Sequence, residues 1–218
     1  MSREMILLFA VAGLVTGLAG RRVLRAVGAE VPPGWCEAVS AVLWALVAWR
    51  WSAPGRPGWW LPVPLSVTAV AVPLAMADFR YLRLPNVLTA AAYPVVGAAI
   101  GVAASQGGAA LGVRAVAGAV VFAVVHALVR RCAPGSLGAG DVKLAGSVGA
   151  VLGAVGWASL VVGACVAAVV TVVLAVVRAF SARTLGERWR GGLPHGPGLL
   201  VAAWIVAVFP AAGSVPGR

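Results

Sequence analysis

Long apolar runs follow one another along almost the whole chain, and most charged residues lie between them or near their ends. A helix needs about 20 apolar residues to cross a bilayer, and it satisfies its own backbone hydrogen bonds there. The sequence therefore predicts an all-α polytopic membrane protein, a bundle of about eight transmembrane helices. The runs cover residues 5–20, 37–53, 59–77, 87–104, 110–129, 142–157, 158–177 and 196–212.

The composition leaves no room for a second, water-soluble unit. Hydrophobic residues make up 61% of the chain and charged residues 11%, whereas an average soluble domain carries about 25% charged residues. The longest segments between runs, 21–36 and 178–195, are too short to bury a core. We therefore expect one membrane-embedded domain over residues 1–218. The three cysteines form no CxxC pair, so neither a zinc site nor a disulfide is expected.

The basic residues predict an orientation. Of the 17 lysines and arginines, twelve fall in one set of alternate loops and five in the other. Basic residues accumulate in cytoplasmic loops, so the set of twelve is expected in the cytoplasm and both termini outside. The net charge of +11 then reports orientation and contact with membrane lipid, and no nucleic-acid partner is expected.

Asp78 and Asp141 are the only aspartates, and both fall at the predicted cytoplasmic ends of runs. A carboxylate at membrane depth costs a few kcal/mol or more, so it tends to face the bundle interior and to serve a function. Two carboxylates that meet share one proton, and this is the acid–base pair of aspartic proteases. Alternatively, each aspartate is a helix cap, or the pair carries protons or cations in a coupled membrane transporter.

The residues around the aspartates suit a peptidase. Gly138 and Gly140 are expected to allow unusual torsions and a close approach of peptide. Asp141 would lie in the first turn of a helix, where the macrodipole favours its charged form. Pro85 and Asn86 would begin the fourth span, Pro just inside the helix and Asn as a cap.

Three segments together resemble the type IV prepilin peptidase family, membrane-embedded aspartic proteases of the Gly-x-Gly-Asp type. They are Asp78-x5-Leu-Pro-Asn, Gly-x-Gly-Asp141-Val-Lys143-Leu, and Leu193-Pro194-His195-Gly196-Pro197, in order within about residues 70–212. The resemblance implies that Asp78 and Asp141 are catalytic, without metal or other cofactor. It also implies that Gly138, Gly140, Lys143, Pro85, Asn86, Pro194, Gly196 and Pro197 support substrate or motif.

The resemblance further implies a place and a substrate. The enzyme would lie in the bacterial cytoplasmic membrane and act at its cytoplasmic face, where it would cut the basic leader from pilin-like precursors whose hydrophobic stem enters the bilayer. Larger members of the family carry a cytoplasmic domain with paired cysteines and methylate the new N-terminus. This chain has a lone Cys36 there, so it resembles the short form and no methyltransferase activity is expected.

Three further polar residues stand out near the motifs. Lys143 follows Asp141 by two residues and is expected to reach lipid headgroups as a positive-inside residue. His126 is expected to hydrogen-bond to a neighbouring helix rather than to relay protons. His195 replaces the Phe that is usual in the family, which leaves the packing of that aromatic residue in question.

Overall fold

The computed structural model of the chain describes residues 3–184 and 194–210, and for 182–184 the backbone alone. Eight α-helices and one 3₁₀ turn, Gly58–Trp60, make up these parts of the chain, which contain no β-strand. The predicted all-α bundle is confirmed. The helices are α1 Arg3–Ala26, α2 Trp35–Ser52, α3 Pro62–Tyr81, α4 Asn86–Gly107, α5 Ala109–Cys132, α6 Ala139–Val155, α7 Trp157–Thr184 and α8 Gly196–Val208.

Several helix ends differ from those predicted from the apolar runs. The first helix continues past residue 20 because Arg21 is held there by an ion pair with Glu37 of α2. The seventh continues to Thr184, and the sixth begins three residues before Val142. The eighth ends at Val208 within the described residues; Leu193, Arg188, Arg190 and residues 211–218 lie outside them.

The connection between α6 and α7 is very short. Gly156 alone connects α6 to α7, and Gly153 belongs to α6. A Cβ placed on Gly118 of α5 would lie only 2.7 Å from the Gly153 Cα. Gly153 therefore serves close helix packing, the usual role of small residues between helices in lipid.

Five segments of the described residues are long and apolar enough to cross a membrane by length and composition: α1, the 3₁₀ turn with α3, α4, α5 and α7. The other three helices do not meet this criterion; α6 has 17 residues and α8 has 13. The five long apolar segments indicate that the chain is a multi-pass membrane protein.

The two short helices form the centre of the bundle. Twelve of the 17 residues of α6 and ten of the 13 of α8 are buried, compared with three of 24 in α1. The exposed large side chains of α1, α5 and α7 are mainly Val and Leu, as expected for surfaces that face lipid. At one end of the core, three helix ends meet: the first turns of α6 and α8 and the last turn of α3.

Candidate active site

Asp78 lies in the last turn of α3, the helix that also contains two inward-facing prolines. It is three residues before Tyr81, and only 5% of its surface is exposed. The helix ends because Leu82 adopts the left-handed conformation at φ 50°, while its N–H still donates to the Asp78 carbonyl oxygen. The bend turns the chain toward α4 and leaves the Asp78 side chain inside the bundle.

Asp141 lies in the first turn of α6, as predicted. Its Oδ2 accepts a hydrogen bond from the backbone N–H of Gly138 at 3.1 Å, which satisfies a donor just before the helix. The side chain is 7% exposed. The carboxylate therefore lies at the positive end of the α6 macrodipole while remaining in the core.

The expectation of unusual glycine torsions before Asp141 is wrong. Gly138 has φ −67° and ψ 152°, which any residue adopts, and Gly140 belongs to the regular helix α6. Space is what these glycines provide. A Cβ on Gly140 would lie 2.8 Å from the Leu84 Cβ, and one on Gly138 would lie 3.1 Å from Asp141 Oδ2.

Gly196 brings the two aspartates to one point. A Cβ placed on it would lie 2.8 Å from Asp78 Oδ2 and 3.3 Å from Asp141 Oδ1, so these oxygens are no further apart than the sum of the two distances. Gly196 is the first residue of α8, and Pro197 follows it in the first turn as a residue that needs no N–H there. Both residues, and Pro194 before them, are buried.

The Asp78 carboxylate has free acceptor capacity. Its Oδ2 is buried and makes no hydrogen bond to a described residue. Arg178 of α7 acts on it electrostatically and donates to the carbonyl oxygen of Phe79 at 2.6 Å. This oxygen can accept a hydrogen bond from a water molecule. When it is protonated, it can donate a hydrogen bond to a substrate carbonyl.

The Pro-Asn segment and Lys143 join α4 to α6. Pro85 lies one residue before α4, at φ −60°, and not inside the helix as predicted. Asn86 caps no backbone N–H; its Oδ1 accepts from Lys143 Nζ at 2.9 Å. Lys143 therefore donates a hydrogen bond to a protein side chain, whereas the sequence predicted contact with lipid headgroups. Tyr93 adds a second link by donating to the Lys143 carbonyl oxygen at 2.6 Å.

Two histidines, which sequence patterns did not place in the site, lie beside the aspartates. His126 is buried, and its Nδ1 donates to the Phe122 carbonyl oxygen of its own helix at 2.8 Å, not to a neighbouring helix as expected. The His195 ring lies 6.0 Å from it, between centroids, and its Nδ1 is 2.9 Å from Thr171 Oγ1. Burial, and to a smaller extent His126, lower the pKa of His195 below its ordinary value.

The aspartates lie well inside the end of the bundle. Gly149 of α6 contacts Gly118 of α5, and eight residues along each antiparallel helix lead to Asp141 and His126 at one level. From His126, α5 continues six residues to Cys132, about 9 Å at 1.5 Å per residue. The α5 helix therefore extends about 9 Å beyond the level of the pair.

An apolar groove begins next to the pair. It has a volume of about 290 Å³, lies between α2, α3, α7 and α8, and is lined almost wholly by apolar atoms. Phe79 and Pro197 belong to its lining, and they directly follow Asp78 and Gly196 in sequence. The groove therefore reaches the residues that directly follow Asp78 and Gly196 in the sequence.

Comparison with known proteins identifies a family. A family model for the type IV leader peptidase family covers residues 65–175, which is 111 of the 218 residues. Neither curated proteins nor solved structures gave a match. The matched range contains most of α3, including Asp78, the Pro-Asn segment, and α6 with Asp141, and it stops before Gly196. The chain thus belongs to the type IV leader peptidase family, and it is a multi-pass membrane peptidase.

Proposed function

We propose that the chain is an aspartic endopeptidase in which Asp78 and Asp141 form the catalytic pair. The observation that carries the proposal is the approach of both carboxylates to one point beside Gly196. They come from different helices, both are buried, and one oxygen of Asp78 has no hydrogen bond to a described residue. Membership of a peptidase family favours this function over proton- or cation-coupled transport.

The chemistry needs one proton shared by the two carboxyl groups. The ionised aspartate takes a proton from a water molecule, whose oxygen attacks the carbonyl carbon of the scissile bond. The protonated aspartate gives its proton to the carbonyl oxygen as the tetrahedral intermediate forms. When the intermediate collapses, one of its two hydroxyl groups returns a proton to the second aspartate, the C–N bond breaks, and the amine leaves with the proton that the first aspartate had taken. Each carboxyl group is then as it was before the reaction.

The proposed substrates are pilin-like precursors with a basic leader and a hydrophobic stem. The apolar groove that begins at Phe79 and Pro197 lets such a stem lie beside the pair within the bilayer. The leader then remains on the side where most arginines lie, the cytoplasmic face of the bacterial cytoplasmic membrane. We expect no methyltransferase activity, because the connection 27–34 between α1 and α2 is only a few residues long.

Replacement of either aspartate tests the catalytic pair. In co-expression with candidate pilin precursors from the same source, Asp78→Asn and Asp141→Asn should each lower the rate of leader loss by about 10²–10⁴-fold, because each removes one proton-transfer group. The rate is measured from the precursor and product bands on a gel. The matched control is Glu30→Gln, which removes an exposed carboxylate away from the pair. Full cleavage by both Asp variants would rule the pair out as catalytic.

A further inference from the structure

The chain's only two histidines lie together beside the aspartate pair, and the chemistry above uses neither. The His126 and His195 ring centroids are 6.0 Å apart at an angle of 35°. His195 directly precedes Gly196, which contacts both carboxylates. His126 belongs to α5, which contributes no other polar side chain at this level. His126 is therefore a buried ionisable residue beside the pair whose role the chemistry above does not explain.

Helix packing places His126 at the level of Asp141. The α5–α6 contact is made by glycines: a Cβ on Gly149 would lie 2.5 Å from the Gly118 carbonyl oxygen. Because the helices are antiparallel, eight residues back from Gly149 and eight forward from Gly118 reach the same height. These residues are Asp141 and His126, and His126 acts electrostatically on the Asp141 carboxylate.

Hydrogen bonding determines which nitrogen of His126 can meet the carboxylate. The Phe122 carbonyl oxygen can only accept, so Nδ1 of His126, at 2.8 Å from it, carries a hydrogen. The other nitrogen, Nε2, is then the nitrogen without a hydrogen in the neutral ring. It carries a hydrogen only when the ring is cationic. His126 therefore attracts the charge of the pair when it is protonated at Nε2.

The other ionisable groups on the helices around α5 have partners elsewhere, so Asp141 and His195 are the ionisable neighbours of His126 among the described residues. Lys143 of α6 is bonded to Asn86, and Tyr93 of α4 donates to the Lys143 carbonyl oxygen. Arg178 of α7 donates to Phe79 and acts on Asp78. On α5 itself, Arg130 and Arg131 are exposed in the last turn. His195 faces Thr171, whose hydroxyl donates to Ala167 at 2.8 Å and leaves its oxygen to accept from His195 Nδ1.

The two aspartates differ in what stabilises a negative charge on them. Asp141 lies at the N-terminal end of α6 and accepts the Gly138 N–H. Asp78 lies at the C-terminal end of α3, where the helix dipole opposes a negative charge; Arg178 and the Gly196 backbone N–H act in the opposite direction, although its Oδ2 has no hydrogen bond to a described residue. Environments that differ in this way separate the base from the acid in a carboxyl pair.

We propose that His126 is a positioning residue of the pair: protonated at Nε2, it holds the negative charge on Asp141 and leaves the shared proton on Asp78. Asp141 is then the base that activates water, and Asp78 is the acid that protonates the substrate carbonyl. These roles rest on the proposed function, but the link between His126 and Asp141 does not depend on catalysis.

Titration of the two imidazoles tests the link without a substrate. In protein labelled at histidine with ¹⁵N and held in detergent micelles, the imidazole signals are followed by NMR against pH, and the signal absent in His126→Asn is that of His126. Asp141→Asn should move the His126 midpoint to lower pH by about 1 unit, because a nearby anion stabilises the cation. Asp78→Asn should leave the midpoint in place. A midpoint that both variants move equally, or that neither moves, overturns the proposal.

The pH profile of cleavage tests the consequence for the reaction. His126→Asn keeps an N–H that can reach the Phe122 carbonyl oxygen but removes the group that becomes cationic. Since ionisation of Asp141 is then less favourable, the acid-side midpoint of kcat/KM should rise by about 1 pH unit, with KM unchanged. Ser147→Ala, which removes a different buried polar group of α6, should keep the parent profile. An equal fall in kcat at every pH, with the midpoint unmoved, would show a packing role only and overturn the proposal.

Discussion

Gly196 has room for a hydrogen atom and for nothing larger. Any Cβ at this position would lie among Asp78 Oδ2, Asp141 Oδ1 and the Leu84 side chain, each within 3.3 Å. The backbone of Gly196 adopts an ordinary helical conformation as the first residue of α8, so its torsions do not require glycine. The requirement comes from the space that the two carboxylates share.

Gly196→Ala should therefore separate the carboxylates without unfolding the bundle. The methyl group pushes one or both oxygens aside, and an error of about 1 Å at a reacting group can lower the rate by about 10²-fold. The measurement is the rate of leader cleavage by purified protein, together with its thermal midpoint. Gly101→Ala is the matched control, because a Cβ at Gly101 meets nothing within 4 Å. Equal rates for the two variants would contradict this role of Gly196.

Single residues differ in how well the sequence predicts their place in the site. Asp78 and Asp141 could be predicted because a carboxylate in an apolar chain is rare and costly. The proximity of His126 to Asp141 could not, since a lone histidine in an apolar run carries no mark of the helix it will face. This proximity depends on which glycines of α5 and α6 contact each other. A chain with 28 glycines offers many possible contacts of this kind.

At the scale of the helices, glycines bring the backbones of α5 and α6 into close contact. A Cβ on Gly149 would lie 2.5 Å from both the Gly118 carbonyl oxygen and the Phe122 Cβ. Hydropathy predicted all eight helices, although only five of the described segments are long and apolar enough to span a membrane by length and composition. Their ends were predicted less well where arginines continue a helix beyond its apolar part, as Arg21 does by pairing with Glu37.

Gly149→Ala should destabilise this contact. An added methyl group forces the α5 and α6 backbones apart, and overpacking of this kind costs about 1–3 kcal/mol. The thermal midpoint in detergent, followed by circular dichroism, should fall below that of the parent protein. Gly97→Ala, with open space around its Cβ, should be neutral or slightly stabilising because alanine favours a helix. The packing argument fails if both variants melt together.

At the scale of the whole molecule, orientation can be measured with the chain's own cysteines. Cys132 is exposed at the end of α5 where the arginines gather, and Ser105 is exposed near the opposite end of α4. In a Cys165→Ser background, a membrane-impermeant maleimide should label Cys132 in inside-out vesicles and not in intact cells. With Cys132→Ser added, Ser105→Cys should show the reverse. The opposite pattern would place the pair on the outer face.

The part of α5 that extends beyond the level of the pair also has a consequence for the substrate. A peptide that passes the end of α5 to reach Asp141 covers about 9 Å, which takes six residues as a helix but only about three when extended. Inside a helix the scissile carbonyl is also hydrogen-bonded to its own chain and screened from a water nucleophile. The segment around the scissile bond must therefore unwind before it is cut. For the proposed cleavage we expect a precursor whose helix unwinds easily at that bond to be cut faster, so that glycine beside the bond speeds cleavage and alanine or leucine slows it.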